Sequence, residues 1–251
     1  MAMFGKSFFR RLVPVLLSDK LKSFYLRFCV YKSFSQNGED RIIGHILSSL
    51  DICHLTYLDL GANDPVKLNN TFLFYNKKNR GVLVEADPRL IRKLNKIRPS
   101  DVILNMGVVA DIEVTSMDFF QLSNDTLSTF SEKEAMEYIK KMPDLKLIDK
   151  IRIPVITVEE IIKKYFDGKA PVLISLDIEG FDMVVLKSIN FEIYRPAILI
   201  VENVVFYPWL SIPEKDEEMI SYMKSNDYLE YAYTGVNSIF VDRRLLKQSA
   251  R

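Results

Sequence analysis

The sequence is poor in the residues that most often announce a site. It holds two cysteines, Cys29 and Cys53, and two histidines, His45 and His54, in 251 residues. Two cysteines make neither a disulfide framework nor a cysteine-based zinc centre. A reducing compartment, the cytoplasm, is the simplest setting for them. Both histidines read as structural, so no histidine base is expected. No apolar run reaches 18 residues, so nothing reads as an ordinary membrane-spanning helix. Glycines number only nine. None forms a Gly-x-Gly-x-x-Gly fingerprint, a phosphate-binding loop or a Gly-x-Ser-x-Gly elbow. Internal repeats and low-complexity linkers are missing too. What remains is an ordinary globular composition, 48% hydrophobic and 27% charged. It excludes a disordered or collagen-like chain, and the length suffices for a sizeable core.

The net charge is only +1, but it is unevenly spread. Residues 1–34 hold seven Lys or Arg against one acid, Asp19, which leaves the rest of the chain at −5. A mildly acidic body argues against nucleic acid as a partner. Residues 1–34 read as a basic amphipathic helical extension, with Phe8, Phe9, Leu12, Leu16, Leu17 and Leu21 on its apolar face. Its short apolar stretch contains Pro14, and no small-residue cleavage site follows, which disfavours a secretory signal. Two readings stay open. The helices pack on the domain or on a second subunit of a homo-oligomer, or they lie on an anionic membrane surface, the inner one for a cytoplasmic protein.

From residue 35 the pattern alternates. Short Val-, Ile- and Leu-rich runs at 56–60, 81–85, 102–105, 172–177 and 197–202 read as parallel strands buried on both faces. Helical segments fall at 70–78, 88–97, 158–166 and 182–188, with another after Pro213. Residues 228–234 and 238–242 read as an antiparallel hairpin. The alternation predicts a doubly wound α/β sheet in one domain, 35–251. Residues 106–156 break the rhythm, with a strand near 113–120, a helix at 131–141 and an extended piece at 151–157. They read as an insertion with too few apolar residues for a core of its own.

In an open α/β sheet, ligands bind at the C-terminal ends of the strands. Five strands here end in acids or amides: Asp59 with Gly61 and Asn63; Glu85; Asn105 with Gly107; Asp177 with Glu179; and Glu202 with Asn203. One such end is commonly a helix cap; five together point to a ligand. The single glycine after the first strand argues against a pyrophosphate at that turn. An acid closing the second strand, Glu85, suits the two hydroxyls of a ribose. A ribose without a pyrophosphate points to S-adenosylmethionine rather than a nicotinamide dinucleotide. A Tyr-x-x-x-Lys pair, Tyr165 and Lys169, is broken by Gly168 and Pro171, so it does not rescue a dehydrogenase.

Several segments fall in one order: Ser35-Gln-Asn-Gly-Glu-Asp40, Tyr57-Leu-Asp-Leu-Gly-Ala-Asn-Asp-Pro65, Asn70-Thr71 and Gly81-Val-Leu-Val-Glu85. They continue with Asn105-Met-Gly-Val108, Ile156-Thr-Val-Glu-Glu-Ile161, Leu176-Asp-Ile-Glu-Gly180 and Asn237-Ser-Ile-Phe240. This ordered set resembles the FkbM-like family of methyltransferases dependent on S-adenosyl-L-methionine. The resemblance implies a Rossmann-like class I methyltransferase fold, a mostly parallel seven-stranded sheet with a C-terminal antiparallel hairpin. It also implies O-methylation, of a hydroxyl on a sugar, nucleotide sugar or glycan. Two positions depart from the family pattern: Pro65 stands where many members have glycine, and Asp182 where many have glutamate.

Within that frame, Gly61 would approach the methionine part of the donor, with Asp59 and Asn63 nearby. Glu85 would hold the ribose, and Asn105 with Gly107 would border the adenine. The resemblance places Gln36 and Glu39 over the donor. Asp177 lies where methyl and acceptor should meet. With Glu202 and Asn203 it offers three oxygen ligands for Mg²⁺, Mn²⁺ or Ca²⁺, by analogy with metal-dependent catechol-type enzymes. The alternative is that Asp177 or Glu179 acts directly as a general base. Ser128 and Thr129 on the insertion, and Trp209 after the fifth strand, are candidates for contact with a sugar acceptor. The rival function is a non-catalytic binding partner of the same fold in a glycan or secondary-metabolite assembly complex.

Overall fold

The computed structural model describes residues 32–178, 180–204 and 215–248. Nearly all of the predicted N-terminal extension, together with Glu179 and Trp209, lies outside the described residues.

The main sheet is built from β1 (Thr56–Leu60), β2 (Arg80–Glu85), β3 (Val102–Asn105), β7 (Leu173–Leu176), β8 (Ile198–Glu202), β9 (Tyr228–Tyr233) and β10 (Asn237–Asp242). Their spatial order is β3-β2-β1-β7-β8-β10-β9. The first five are parallel, and β10 runs antiparallel to both β8 and β9. This is the expected seven-stranded, doubly wound sheet with a terminal hairpin. The chain moves one way from β1 to β2 and β3, then returns to place β7 on the other side of β1. The crevice where the order reverses therefore opens between the ends of β1 and β7, the place such sheets reserve for ligands.

Alternation along the strands explains the two layers. Leu58, Leu60, Val82, Val84, Ile174, Leu176, Leu199 and Val201 join one buried cluster. That cluster is covered by α5 (Val158–Tyr165), α6 (Asp182–Ser188) and α7 (Glu217–Ser225). Tyr57, Leu83, Leu173, Ile198 and Ile200 point the other way, toward α1 (Glu39–Ser49), α2 (Phe72–Asn76) and α3 (Pro88–Ile97). Truncating one of these core side chains to alanine typically costs about 2–5 kcal/mol. Local signals fix several helix starts. Asp87 caps α3 ahead of Pro88, Thr157 and Glu160 form a capping box on α5, and Asp216 caps α7. The start of α7 thus falls later than Pro213 suggests. The chain closes with α8 (Arg243–Gln248). Among the described residues, no helix is long and apolar enough to cross a membrane.

The insertion forms a second sheet of β4 (Gly107–Val109), β6 (Leu147–Thr157) and β5 (Ser116–Leu122), in that order. A short 3-10 turn (Asp125–Leu127) and α4 (Glu132–Lys141) complete it. Contrary to the sequence expectation, it has a small buried cluster of its own: Phe120, Leu122, Leu127, Ala135, Tyr138 and Leu145. These residues are scattered in sequence, and only the pairing of β5 with β6 and the return of α4 bring them together. Arg89 and Asp87 tie the insertion to the main sheet. The Arg89 guanidinium donates to the Leu122 carbonyl (3.1 Å), and the Gln121 amide donates to Asp87 (2.8 Å).

Candidate functional site

A cleft of about 570 Å³ opens over the C-terminal ends of β1, β2, β7 and β8. Its size suits one small-molecule ligand or two bound side by side. Its shape starts with Gly61. This residue turns the chain out of β1 at φ 81°, and a Cβ there would overlap the carbonyl oxygen of Asp177. Only glycine permits both the conformation and the approach. The Asp177 amide in turn donates to the Leu60 carbonyl (3.0 Å), locking the ends of β1 and β7 together. Gly107 works similarly on the insertion side, where a side chain would strike the ring of Phe130.

Glu85 closes β2 with a buried carboxylate on the cleft wall. One oxygen accepts from the Asn63 amide (2.8 Å) and the other from the Asp87 amide (2.7 Å). Each oxygen keeps a second lone pair. Burial pushes its pKa up from 4.5 to about 7, against the pull of those two amides and with help from Asp87 and Asp125. Asp59 sits on the neighbouring strand, also buried, and accepts from Thr71 (2.7 Å) and Asn69 (3.3 Å). Behind it runs a polar chain into the interior. The fully buried Arg98 donates to the Thr71 hydroxyl (3.1 Å) and the Tyr57 hydroxyl (3.0 Å) and pairs with Asp101 (2.8 Å). Burial raises the Asp59 pKa, while Thr71 and the Arg98 charge oppose the rise.

Asp177 follows β7 directly, is exposed, and lines the cleft. Its pKa is raised, first by burial and then by the negative charges of Asp182, Asp59 and Glu85. Asp182 stands behind it at the start of α6 and accepts from the Ile178 amide (3.0 Å). Burial pushes Asp182 up from 3.8 to about 6, although backbone amides favour its ionised form. The charges of Asp182, Asp59 and Glu85 therefore all act on Asp177, just past the end of β7.

The structure brings together Gln36, Asp59, Gly61, Asn63, Glu85, Gly107, Ser128, Thr129, Asp177 and Glu202 along the cleft. Three other predicted residues, Glu39, Asn105 and Asn203, do not line it. Glu39 is fully buried away from the cleft lining. Its carboxylate accepts from the Asn37 amide (2.8 Å), the Thr234 hydroxyl (2.6 Å) and the Asn237 amide group (3.1 Å). Burial alone would raise its pKa; these bonds hold it below the usual value. Asn105 spends its side-chain amide on the Glu85 and Ala86 carbonyls (both 2.9 Å), so it shapes the turn after β2. Asn203 is fully buried, donates to Ser238 (2.7 Å) and accepts from the Asp216 amide (3.1 Å). Asn203 is thus engaged inward and does not line the cleft that Asp177 and Glu202 share. Among the described residues, no group of three or more His, Cys, Asp or Glu is placed to hold a metal ion. Ser128 and Thr129 line the cleft, and their hydroxyls also make bonds within the insertion. Ser128 accepts from the Leu122 amide (3.0 Å), and Thr129 donates to Glu134 (3.0 Å).

Several cleft residues escaped the sequence reading of the site. Asn70 donates to the Ser175 hydroxyl (3.2 Å), and both line the cleft beside Asp177. The signal for Ser175 was available, because it is the one polar residue within the otherwise apolar run of β7. Leu90, Met106 and Phe130 supply an apolar wall near Glu85 and Gly107. Lys67 and Lys93 stand on the rim formed by the loop after β1 and by α3, where Lys93 pairs with Asp64.

The methyltransferase FkbM domain family matches residues 59–230. No curated protein matches the sequence significantly. Solved structures align at low identity. A TehB-like SAM-dependent methyltransferase from Corynebacterium glutamicum is 10% identical, covering 89% of this chain and 96% of its own, with a TM-score of 0.40. A 1,6-didemethyltoxoflavin-N1-methyltransferase from Burkholderia thailandensis was solved with 1,6-didemethyltoxoflavin and S-adenosylhomocysteine. It is also 10% identical, covering 92% and 88%, with a TM-score of 0.40. The N-methyltransferase NodS from Bradyrhizobium japonicum is 9% identical over 82% and 98%, with a TM-score of 0.39.

Proposed function

Because the chain belongs to the FkbM methyltransferase family, we propose that it is an O-methyltransferase that uses S-adenosylmethionine and acts on a sugar hydroxyl. The observation that carries the donor assignment is Glu85, a buried carboxylate at the end of β2 with one free lone pair on each oxygen. Two vicinal ribose hydroxyls can donate to those lone pairs. The residues present fit the rest of the donor. Gly61 presents bare backbone to the cleft at the end of β1, where an amino-acid tail could lie, and Leu90, Met106 and Phe130 suit a purine face. The donor, when bound, supplies a methyl group already activated on a sulfonium.

The chain must then orient an acceptor oxygen and take its proton. Asp177 is placed for both tasks. Its carboxylate projects into the cleft, and its raised pKa makes it a stronger base than an ordinary carboxylate. The neighbouring acids that raise that pKa also favour holding a proton there once it arrives. The committed amide of Asn203 favours this direct base over a metal-assisted route through the predicted ligand set. Cytoplasmic residence belongs to the same proposal, supported by an exposed free thiol at Cys53, which a reducing compartment tolerates.

Isothermal titration of the full chain with S-adenosylhomocysteine tests the reading. Saturable binding is expected, and Glu85→Ala should weaken it by ~1–3 kcal/mol through loss of charged hydrogen bonds. A folded protein that does not bind would overturn the donor assignment. Donor binding without any turnover would instead favour the non-catalytic partner.

A further inference from the structure

Arg98 follows α3 directly and is the largest fully buried side chain among the described residues. A buried guanidinium has five N–H groups to satisfy and no acceptor of its own. Here all five are matched. Nε donates to Asp101 (2.8 Å). One terminal nitrogen donates to the Pro65 carbonyl and to the Asn69 side-chain oxygen (both 3.3 Å), the other to the hydroxyls of Tyr57 (3.0 Å) and Thr71 (3.1 Å). Asp101 already supplies a neutralising charge, and it also accepts from Tyr57 (2.8 Å) and from the Gly81 amide (3.0 Å). The bonds to Asn69 and Thr71 are therefore not needed to pair the cation; they lead toward the cleft. Asn69 and Thr71 are the two residues that donate to Asp59, and both bonds land on one carboxylate oxygen, Oδ2. Arg98 fixes the sense of each, because its N–H groups can only donate. Asn69 offers its oxygen to the guanidinium and its NH₂ to Asp59. Thr71 accepts from Arg98 and has its single proton for Asp59. One buried cation thus reaches one oxygen by two arms, each through one side chain. Both arms are buried, with Asn69 2% and Thr71 0% exposed. Asp59 itself lines the cleft, two positions before Gly61.

Resting on the methyltransferase reading above, we propose that Arg98 is a positioning residue of the donor site: acting through Asn69 and Thr71, it holds Asp59 as a carboxylate that receives the ammonium group of the donor's amino-acid tail. Donors aimed at a carboxylate favour its charged form. Burial works against that charge, and Thr71, Arg98, Ser175 and Asn69 all oppose burial. The other charged groups near Asp59 are accounted for. Asp101 is paired with Arg98 itself. Glu85 and Asp177 line the same cleft from β2 and β7, and the charge of Asp59 acts on Asp177. A lysine at position 98 would keep the charge but could not serve both arms, since it lacks the planar fork.

The experiment is calorimetry on the full chain with two ligands. S-adenosylhomocysteine carries the amino-acid tail; methylthioadenosine keeps the adenosine and the sulfur but lacks that tail. The ratio of their affinities cancels what Glu85 does for the ribose. Thr71→Val cuts one arm and keeps the Arg98–Asp101 pair. It should lower the ratio about tenfold at pH 6 and less than about threefold at pH 8, where Asp59 ionises with less help. Thr71→Ser keeps the hydroxyl and should retain the wild-type ratio. Asp59→Asn should lower the ratio at both pH values, and adding Thr71→Val to it should lower it no further. Arg98→Lys should act like Thr71→Val and replaces it if the valine variant does not fold. An unchanged ratio, equal losses for the two ligands, a loss at pH 8 as large as at pH 6, or additive effects of Thr71→Val and Asp59→Asn would each overturn the proposal. The wild-type chain separates the two failures. If it binds neither ligand, the methyltransferase reading fails and this one with it. If it binds both equally well, only the role of Asp59 and Arg98 is wrong.

Discussion

Two single residues decide most of the site. Gly61 holds φ 81° with its Cα pressed on the Asp177 carbonyl. Gly61→Ala therefore has to pay for a left-handed backbone and also push β7 away from β1. Each strained position costs about 1–3 kcal/mol, so the variant should lose that much stability in urea titrations and lose measurable binding of S-adenosylhomocysteine. Wild-type affinity in Gly61→Ala would show that the close approach is dispensable. Asp177 makes a two-sided prediction. Asp177→Asn should cut turnover by about 10²–10⁴, the usual worth of a general base, while donor binding persists. The wild-type rate should fall with acid well above the ordinary carboxyl value of 3.8, because the Asp177 pKa is raised and the base must be ionised. The stability sign is opposite. A group whose pKa is raised by folding contributes stability below its unfolded value and loses it as pH climbs through the folded one. Ionised Asp177 is thus a cost at pH 8 that asparagine removes. Cleft water screens that cost, so the gain should be modest, about 1 kcal/mol or about 2–4 °C in Tm. The gain should vanish at pH 3, where the native carboxyl is neutral too. A gain equal at both pH values would mean that charge is not its cause.

At the scale of elements, Glu39 links two parts that are remote in sequence. It opens α1, and its carboxylate accepts from Thr234 and Asn237 at the hairpin and from the Asn37 amide. Gln36 and Val236, which flank this junction, both line the cleft. Glu39→Gln turns one acceptor oxygen into a donor facing another donor, at a cost of about 1–3 kcal/mol. Because burial is outweighed here by hydrogen bonds and the pKa is lowered, the contribution of the carboxylate is complete above 4.5 and fades as pH falls through the folded value. The stability gap between wild type and Glu39→Gln should stay constant from pH 8 to about pH 5 and close below pH 4. A gap that persists at pH 3 would assign it to shape rather than charge. The same region shows where sequence patterns stop. The five parallel strands were legible because runs buried on both faces have no polar alternation to blur them. Helix α1 was not singled out, since its N-cap is Gly38 in a left-handed conformation, with no side-chain cap to mark a start. The core of the insertion was missed because β5, α4 and the segment before β6 each contribute only one or two buried side chains.

For the molecule as a whole, the place of the site was legible from strand ends alone, but the facing of its side chains was only partly so. Glu202 is the last residue of β8 and Asn203 follows it directly. Consecutive residues leave an extended strand toward opposite faces, and here Glu202 lines the cleft while Asn203 is turned inward. Asp59, Ser175, Asp177 and Glu202 share a face for the same reason, each at even spacing from a neighbour on its strand or across it. Charge is partitioned on this larger scale as well. Residues 1–34 carry +6 and the remainder −5, yet every cleft-lining residue among those described falls between Gln36 and Val236. We propose that the basic segment serves attachment to an anionic lipid surface rather than chemistry. Each Lys or Arg near such a surface is worth about 1 kcal/mol, and the attraction fades with salt. Deleting residues 1–32 should leave S-adenosylhomocysteine affinity within about twofold while abolishing co-sedimentation with phosphatidylserine-containing vesicles at low salt. Neutral phosphatidylcholine vesicles should retain neither protein. Equal sedimentation of the full and shortened chains would assign the segment to packing on the domain or on a second subunit, and a change in mass by light scattering on deletion would then identify the subunit contact.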